Sequence, residues 1–444
     1  MEQVFIKAAQ LIVSLSLLVF IHELGHFMFA KLFKTKVEKF YLFFNPGFTL
    51  FKKKIGETEY GIGWLPLGGY TKIAGMVDES MDKEAMKKPA QPWEFRSKTT
   101  GQRLLIMIGG VLMNFILAFI IYIGVLYAWG ESYLTTSSLE YGISVSETGH
   151  QIGLENGDKI LSLDGEYLDN FYKIIPTVLL DEIKTVQVLR DGHKVIVPIT
   201  DDDIALMLKS KGIMNVRMPF NCQVDKVIKD SPADIAGFKK KDAFVSVDEN
   251  EFQFYDQFKT YLSQHKNKIV NFIVRRNGEL MNIPVTVSEA GTIGFYTQFE
   301  KHSADFMKYK ATHYSFFGSI PAGVKKGYLT TVNYLKQFKL IFSPKTKAYE
   351  SLGGFIAIGN IFPGQWDWFS FWNMTAFLSI ILGIMNLLPI PALDGGHVMF
   401  LFFEMITGRK PGEKFMEYAQ IAGMLFLLLL VIYANANDII KLFH

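Results

Sequence analysis

Four stretches of this chain stay apolar for about twenty residues, the length that crosses a hydrocarbon core of roughly 30 Å as a helix. They cover residues 8–30, 104–128, 369–388 and about 418–434. The second contains no charged residue, whereas the first carries His22, Glu23 and His26 within it. The first is too long for a signal-peptide core and lacks a small-residue cleavage site, so the pattern predicts four transmembrane helices. Lysine and arginine set their orientation, because cytoplasmic loops collect these residues. Lys31, Lys34, Lys36, Lys39, Lys52, Lys53 and Lys54 follow the first span, and Arg96, Lys98 and Arg103 precede the second. Arg409, Lys410 and Lys414 lie between the third and fourth, while residues 130–150 and 350–368 contain neither type. The loops after spans one and three are therefore expected in the cytoplasm, and the long middle section and both termini outside.

Between spans two and three the pattern changes to short alternating runs broken by turn residues, and it repeats. Gly153-Leu-Glu-Asn-Gly-Asp158-Lys-Ile-Leu-Ser-Leu-Asp164-Gly165 aligns with Gly237-Phe-Lys-Lys-Lys-Asp242-Ala-Phe-Val-Ser-Val-Asp248-Glu249. Each copy reads as a helix ending at glycine, an aspartate turn and a strand closed by a second aspartate turn. Ser231-Pro-Ala-Asp-Ile-Ala-Gly237 resembles the SPAxxAG helix of bacterial PDZ domains, which implies tandem PDZ-like α/β domains at 131–213 and 214–298. A PDZ groove takes an extended peptide as an added strand. Peptide capture and a rigid cap remain alternatives for this pair. Residues 299–367 then form a linker with a surface helix at 312–345, where Tyr328, Tyr334, Phe338 and Phe342 alternate with lysines. Residues 1–130 and 368–444 hold the two pairs of spans.

Composition narrows the class. Among 444 residues, 49% are hydrophobic and the net charge is +3, too small and too scattered to argue for nucleic acid. Cys222 is the single cysteine, so an intramolecular disulfide scaffold is excluded.

The chemistry sits inside the first span. His22-Glu23-Leu24-Gly25-His26 fits H-E-x-x-H, and residues four apart share a helix face, so both imidazoles can reach one ion at about 2.0–2.1 Å. Glu23 projects beside them, where a carboxylate can take a proton from water made acidic by a metal. A charged group at the bilayer centre costs about 2.5–3.5 kcal/mol on insertion scales, so such residues need a functional reason. A packed structural histidine explains one of the three, not all three at metal spacing. Two histidines leave zinc short of a third protein ligand.

The candidate segment follows the third span, in Asn386-Leu-Leu-Pro389-Ile-Pro391-Ala-Leu393-Asp394-Gly395-Gly396. A continuous helix from Phe369 to Asp394 would run about 37 Å and overshoot the core. Pro389 and Pro391 break it, and the glycines permit tight backbone that returns Asp394 to the depth of the histidines. Non-helical backbone at that depth must be buried or face water, which implies a hydrated pocket.

HELGH in the first span, NLLPIPALDGGH after the third and paired PDZ-like domains between spans two and three together resemble the bacterial site-2 proteases over nearly the whole chain. The resemblance implies a four-span α-helical membrane protein with a membrane-associated β-hairpin element and extracytoplasmic PDZ-like domains. It further implies an intramembrane endopeptidase holding one Zn2+ through His22, His26 and Asp394, with Glu23 as general base. Implied substrates are single-span membrane proteins already trimmed outside, such as anti-sigma factors, or remnant signal peptides. The implied location is the bacterial cytoplasmic (inner) membrane.

Pro66-Leu67-Gly68-Gly69-Tyr70-Thr71-Lys72-Ile73 resembles the family's PLGGYVKM segment, which makes Gly68, Gly69 and Tyr70 candidates for aligning substrate as a strand. A helical peptide hides its scissile carbonyl, so an edge strand that holds opened backbone is physically sensible. Asn114 and Asn386 are buried amides that can contact opened substrate or its tetrahedral intermediate, or else act as glue between helices worth about 0.6 kcal/mol each. Asn386, with Pro389 and Pro391 at the break, leans to substrate binding, and Asn114 to glue. His397 is expected near the ligands without being one, and His150, His193, His265, His302, His313 and His444 are not ligand candidates. Ser351-Leu-Gly353-Gly354 lacks the family's proline at this point, and Glu249-Asn250 stands where the PDZ turn has Asp-Gly. A catalytically silent scaffold is the rival reading, and it would purify without stoichiometric zinc.

Overall fold

The computed structural model describes residues 2–66, 68–76, 89–210, 212–220, 223–297, 307–341 and 353–443. Leu67, Cys222, His302, Phe342, Ser351 and His444 lie outside these. The chain divides into two compact units, one built from Met1–Gly130, His313–Leu335 and Leu352–His444, the other from Glu131–Thr312 and Lys336–Ser351.

The first unit contains four helices long and apolar enough to cross a membrane: Glu2–Leu32, Thr100–Trp129, Trp368–Leu387 and Lys414–Ile440. We label six helices α1 (Glu2–Leu32), α2 (Thr100–Trp129), α3 (Phe316–Ile341, in this unit as far as Leu335), α4 (Trp368–Leu387), α5 (Asp394–Thr407) and α6 (Glu413–Phe443). α1 buries one stripe, Gln10, Ser14, Leu18, His22, Gly25, His26 and Ala30, at the three-to-four spacing of a single helix face. A capping box starts α2: Thr99 Oγ1 accepts the Gln102 amide at 3.3 Å and Gln102 Oε1 accepts the Thr99 amide at 3.2 Å.

α1 and α2 meet backbone to backbone. A Cβ on Gly25 would stand 2.2 Å from the Gly109 carbonyl oxygen, and one on Gly109 would stand 2.8 Å from that of Gly25. Small residues at a crossing let helices in lipid approach this closely. α3 uses the same device, presenting Gly323 to Ile123 and Gly327 to Phe119, while Lys326 Nζ donates to Asn373 Oδ1 at 3.0 Å. The helix expected at 312–345 is thus a docked helix within the described residues, held against α2 and α4 through Leu335.

The chain after α1 forms strands β1 (Val37–Leu42), β2 (Phe51–Ile55), β3 (Thr58–Ile62) and β4 (Tyr70–Ile73). Their order is β2-β3-β1-β4, with β1 parallel to β3 and antiparallel to β4. The hairpin element expected here is therefore a four-stranded mixed sheet. Gly56, at φ 62°, makes the tight turn of its one hairpin, between β2 and β3. The two edges differ: β2 is exposed throughout and carries Lys52, Lys53 and Lys54, a charged edge that discourages pairing. β4 lies against α1, with Thr71 Oγ1 donating to the Glu23 carbonyl at 3.3 Å.

The second unit carries the sequence repeat into three dimensions. One hydrophobic core gathers Leu134, Ile143, Ile160, Val188 and Ile213, and a separate one gathers Val224, Phe238, Phe258, Phe272 and Val285. Each has a three-stranded antiparallel sheet: Lys159–Leu163, Thr185–Arg190 and His193–Pro198 in the first, Ala243–Val247, Ile269–Arg276 and Glu279–Thr286 in the second. The aligned aspartates do the same work in both copies. Asp158, fully buried, takes a bidentate pair from Arg190 at 2.8 and 2.7 Å, and Asp242 takes one from Arg276 at 2.7 and 2.6 Å. Each arginine also donates to the aligned glycine carbonyl, Gly153 or Gly237. Asp164 and Asp248 both adopt φ near 45° (46° and 45°) and accept backbone amides from the neighbouring strand.

Candidate metal centre

His22 and His26 lie one turn apart on the buried face of α1, both less than a tenth exposed. The third partner arrives through a break. α4 ends at Leu387 because Pro389 offers no amide to continue it, and residues 388–393 turn before α5 begins at Asp394. Ala392 is held at φ 87°, an unusual conformation for a residue with a Cβ, which marks the turn as imposed by its surroundings. Gly395 and Gly396 allow the close return, since a Cβ on Gly395 would stand 2.1 Å from the Leu388 carbonyl oxygen and one on Gly396 2.6 Å from the Pro391 Cα.

The result is a triangle of ligand atoms. Asp394 Oδ2 is 3.1 Å from His22 Nε2 and 3.3 Å from His26 Nε2, and the two ring nitrogens are 3.2 Å apart. A tetrahedral zinc with bonds of about 2.0–2.1 Å separates its ligands by roughly 3.3 Å, so this triangle fits one face of such a site. The donor set also suits a cation. His26 Nδ1 lies 2.9 Å from the Ile106 carbonyl, which can only accept, so Nδ1 carries a proton and Nε2 is the ring atom turned toward Asp394. Asp394 Oδ2 is buried without a hydrogen-bond donor despite its two close nitrogen neighbours. A bound cation shared by these three atoms would balance the buried carboxylate. These three residues are the group of histidine and carboxylate side chains close enough to hold a metal among the described residues.

A cavity of about 360 Å³ opens on the triangle, lined also by Glu23, by Gly69 through Ile73 and by His397. A Cβ on Gly69 would come within 3.2 Å of Glu23 Cγ, so the approach to β4 and the Glu23 side chain are immediate neighbours. Asn386 Nδ2 lies 3.4 Å from His22 Nε2. Asn386 and Pro389 do not line this cavity, and neither does Pro391. Its carbonyl packs on α6, where a Cβ on Gly423 would stand 1.6 Å away. Gly68, at φ 157°, sits against the Phe44 ring rather than in the cavity. Tyr70 lines it, stacks on Tyr41 at 5.1 Å and donates to Asn45 Oδ1 at 3.1 Å.

Asn114 bridges α2 to α1 at the ligand pair itself. It is wholly buried on α2, with Nδ2 3.2 Å from His22 Nδ1 and Oδ1 without a partner. Gly110, one turn earlier, leaves room for both rings: a Cβ there would stand 2.5 Å from His26 Nε2 and 2.7 Å from His22 Cε1. The spacing Ile106-Gly110-Asn114, four and four, was the available signal, since it matches the four-residue spacing of the histidines across an antiparallel helix pair.

An HExxH pair and its glutamate on a membrane-crossing helix, met in one cavity by an aspartate returned just after a second such helix, define a membrane-embedded metallopeptidase. Residues 10–430 match Peptidase family M50, and the chain belongs to that family. It is a zinc metalloprotease of the intramembrane, site-2 type. Relatives of similar length extend along the whole chain. A Fusobacterium nucleatum protein, provisionally named a zinc metalloprotease, is 27% identical over 434 residues, covering 98% of each chain. A Borreliella burgdorferi protein of the same provisional name is 28% identical over 446 residues, covering 96% of this chain and 97% of its own. The regulator of sigma E protease of Haemophilus influenzae is 26% identical over 457 residues, covering 97% of this chain and 98% of its own.

Proposed function

We propose that His22, His26 and Asp394 hold the catalytic zinc and that Glu23 is the general base for cleaving single-span membrane proteins inside a bacterial cytoplasmic membrane. The observation that carries this reading is the convergence of the three ligand atoms in a cavity shared with Glu23 and the edge strand β4. The ion, when bound, supplies Lewis acidity and makes water nucleophilic at neutral pH. Glu23 takes the proton of the attacking water and hands it to the leaving amine. Gly69 and Tyr70 lead the opened substrate onto β4, a terminal strand of its sheet, which accepts an added strand. Asn386 offers an amide donor to the substrate carbonyl, and Pro389 and Pro391 shape the turn that places it. Gly68 serves by its turn rather than by contact.

The two repeats of the second unit act as PDZ-like domains outside the membrane, receiving peptide ends of trimmed substrates. The duplicated arginine–aspartate frame supports a common fold for them. The lysine-rich loops after the first and third spans support placing these domains and both termini on the outer side. Substrates of the anti-sigma-factor kind agree with the name of the Haemophilus influenzae relative. Comparing membrane-protein stubs in cells carrying the wild-type chain and Glu23→Gln tests the reading. Accumulation of single-span stubs only in the variant is expected, and identical stub patterns would refute it.

A further inference from the structure

We propose that Asn114 is a positioning residue of the metal centre, whose side-chain oxygen accepts the Nδ1 proton of His22 and holds that ring with Nε2 toward the ion. The proposal rests on the reading of His22 as a ligand. α2 runs antiparallel to α1 and presents three residues at spacing four to the histidine pair. The Ile106 carbonyl meets His26 Nδ1 at 2.9 Å, Gly110 makes room between the rings, and the Asn114 amide meets His22 Nδ1 at 3.2 Å.

Asn114 therefore stands to His22 as Ile106 stands to His26. A ring that binds metal through Nε2 carries its proton on Nδ1 and needs an acceptor there. The Asn114 amide is placed with its nitrogen toward that proton and its oxygen buried without a partner. A half-turn of the carboxamide exchanges the two atoms and gives the proton its acceptor, the NH2 group taking the oxygen's buried position. The residue is also fixed independently of its side chain: Ser379 Oγ on α4 donates to the Asn114 backbone carbonyl at 2.8 Å. Helix–helix adhesion at this point runs through the main chain, which leaves the amide for the histidine.

The test measures zinc affinity of the full-length protein in detergent by chelator competition, in a Glu23→Gln background so that cleavage does not enter the readout. Asn114→Leu keeps the volume and removes the acceptor. Weakening of about 10–100-fold is expected, the usual cost of losing such a partner. Asn114→Asp keeps an acceptor oxygen and should bind zinc as tightly as the parent or more so. Melting of the metal-free proteins accompanies both, since a purely structural role lowers stability without separating the two variants in affinity. Parental affinity in Asn114→Leu overturns the proposal, and so does equal weakening by Asn114→Asp, which also decides the matter should Asn114→Leu fail to fold. A parent that binds no zinc instead overturns the ligand reading beneath it.

Discussion

Adding one methyl group at Gly110 should dismantle the metal centre while leaving the spans in place. In Gly110→Ala the new Cβ stands 2.5 Å from His26 Nε2 and 2.7 Å from His22 Cε1. Unbonded heavy atoms settle at about 3.5–4.0 Å, so the rings must withdraw by roughly 1 Å. Metal ligands tolerate errors of only about 0.2 Å. His26 cannot withdraw without giving up its 2.9 Å bond to Ile106, and α2 cannot back away without opening the Gly25–Gly109 contact. Loss of stoichiometric zinc is expected by metal analysis. A misplacement of this size costs about a hundredfold in rate, so cleavage of a membrane-tethered reporter should fall at least that far. Gly124→Ala on the same helix is the control, because nothing lies within 4 Å of its Cβ and it should be silent in both assays. A Gly110→Ala protein with full zinc and undiminished cleavage would refute the geometry on which the site is built.

Glu23→Gln should retain zinc while cleavage drops by about 10²–10⁴-fold, read from metal content and stub processing in the same preparation. Asp394→Ala should lose its zinc to a chelator that leaves the wild type loaded, since two histidines alone remain. Arg276→Ala strands the buried Asp242 carboxylate and should cost about 3 kcal/mol, measured by chemical denaturation; an unchanged midpoint would count against the duplicated frame. The Lys184 backbone amide, aided by Thr185, holds the Asp164 carboxyl below its usual value. A lowered carboxyl stabilises the folded state above the unfolded value of about 3.9 and loses that contribution as pH falls through the folded value. Protection from hydrogen exchange in Thr185–Arg190, taken relative to the intrinsic rate at each pH, should therefore fall in acid for the wild type, and already at neutral pH for Asp164→Asn.

The four spans, the H-E-x-x-H pair and the doubled turn motif were legible in the sequence because each is a local property. Hydrophobic length is read along one helix, the histidine spacing follows from the pitch of that helix, and a repeat is visible letter by letter. Even the return of Asp394 was legible in part, since two prolines and two glycines after a span announce a break. The tertiary structure alone decided where that break delivers the carboxylate, and it separated Pro391 and Gly68 from the cavity that Tyr70 lines. It also turned a hairpin into a four-stranded sheet through the parallel pairing of β1 with β3, a contact no turn residue signals. Arg190 and Arg276 carry no motif, and their role appears only when the strands close on Asp158 and Asp242. Asn114 is the clearest case. Its burial follows from an apolar span, but its partner depends on the register of α2 against α1, which the Gly25–Gly109 contact fixes between helices far apart in the chain. Pitch and polarity belong to one segment; register belongs to two, and packing sets it.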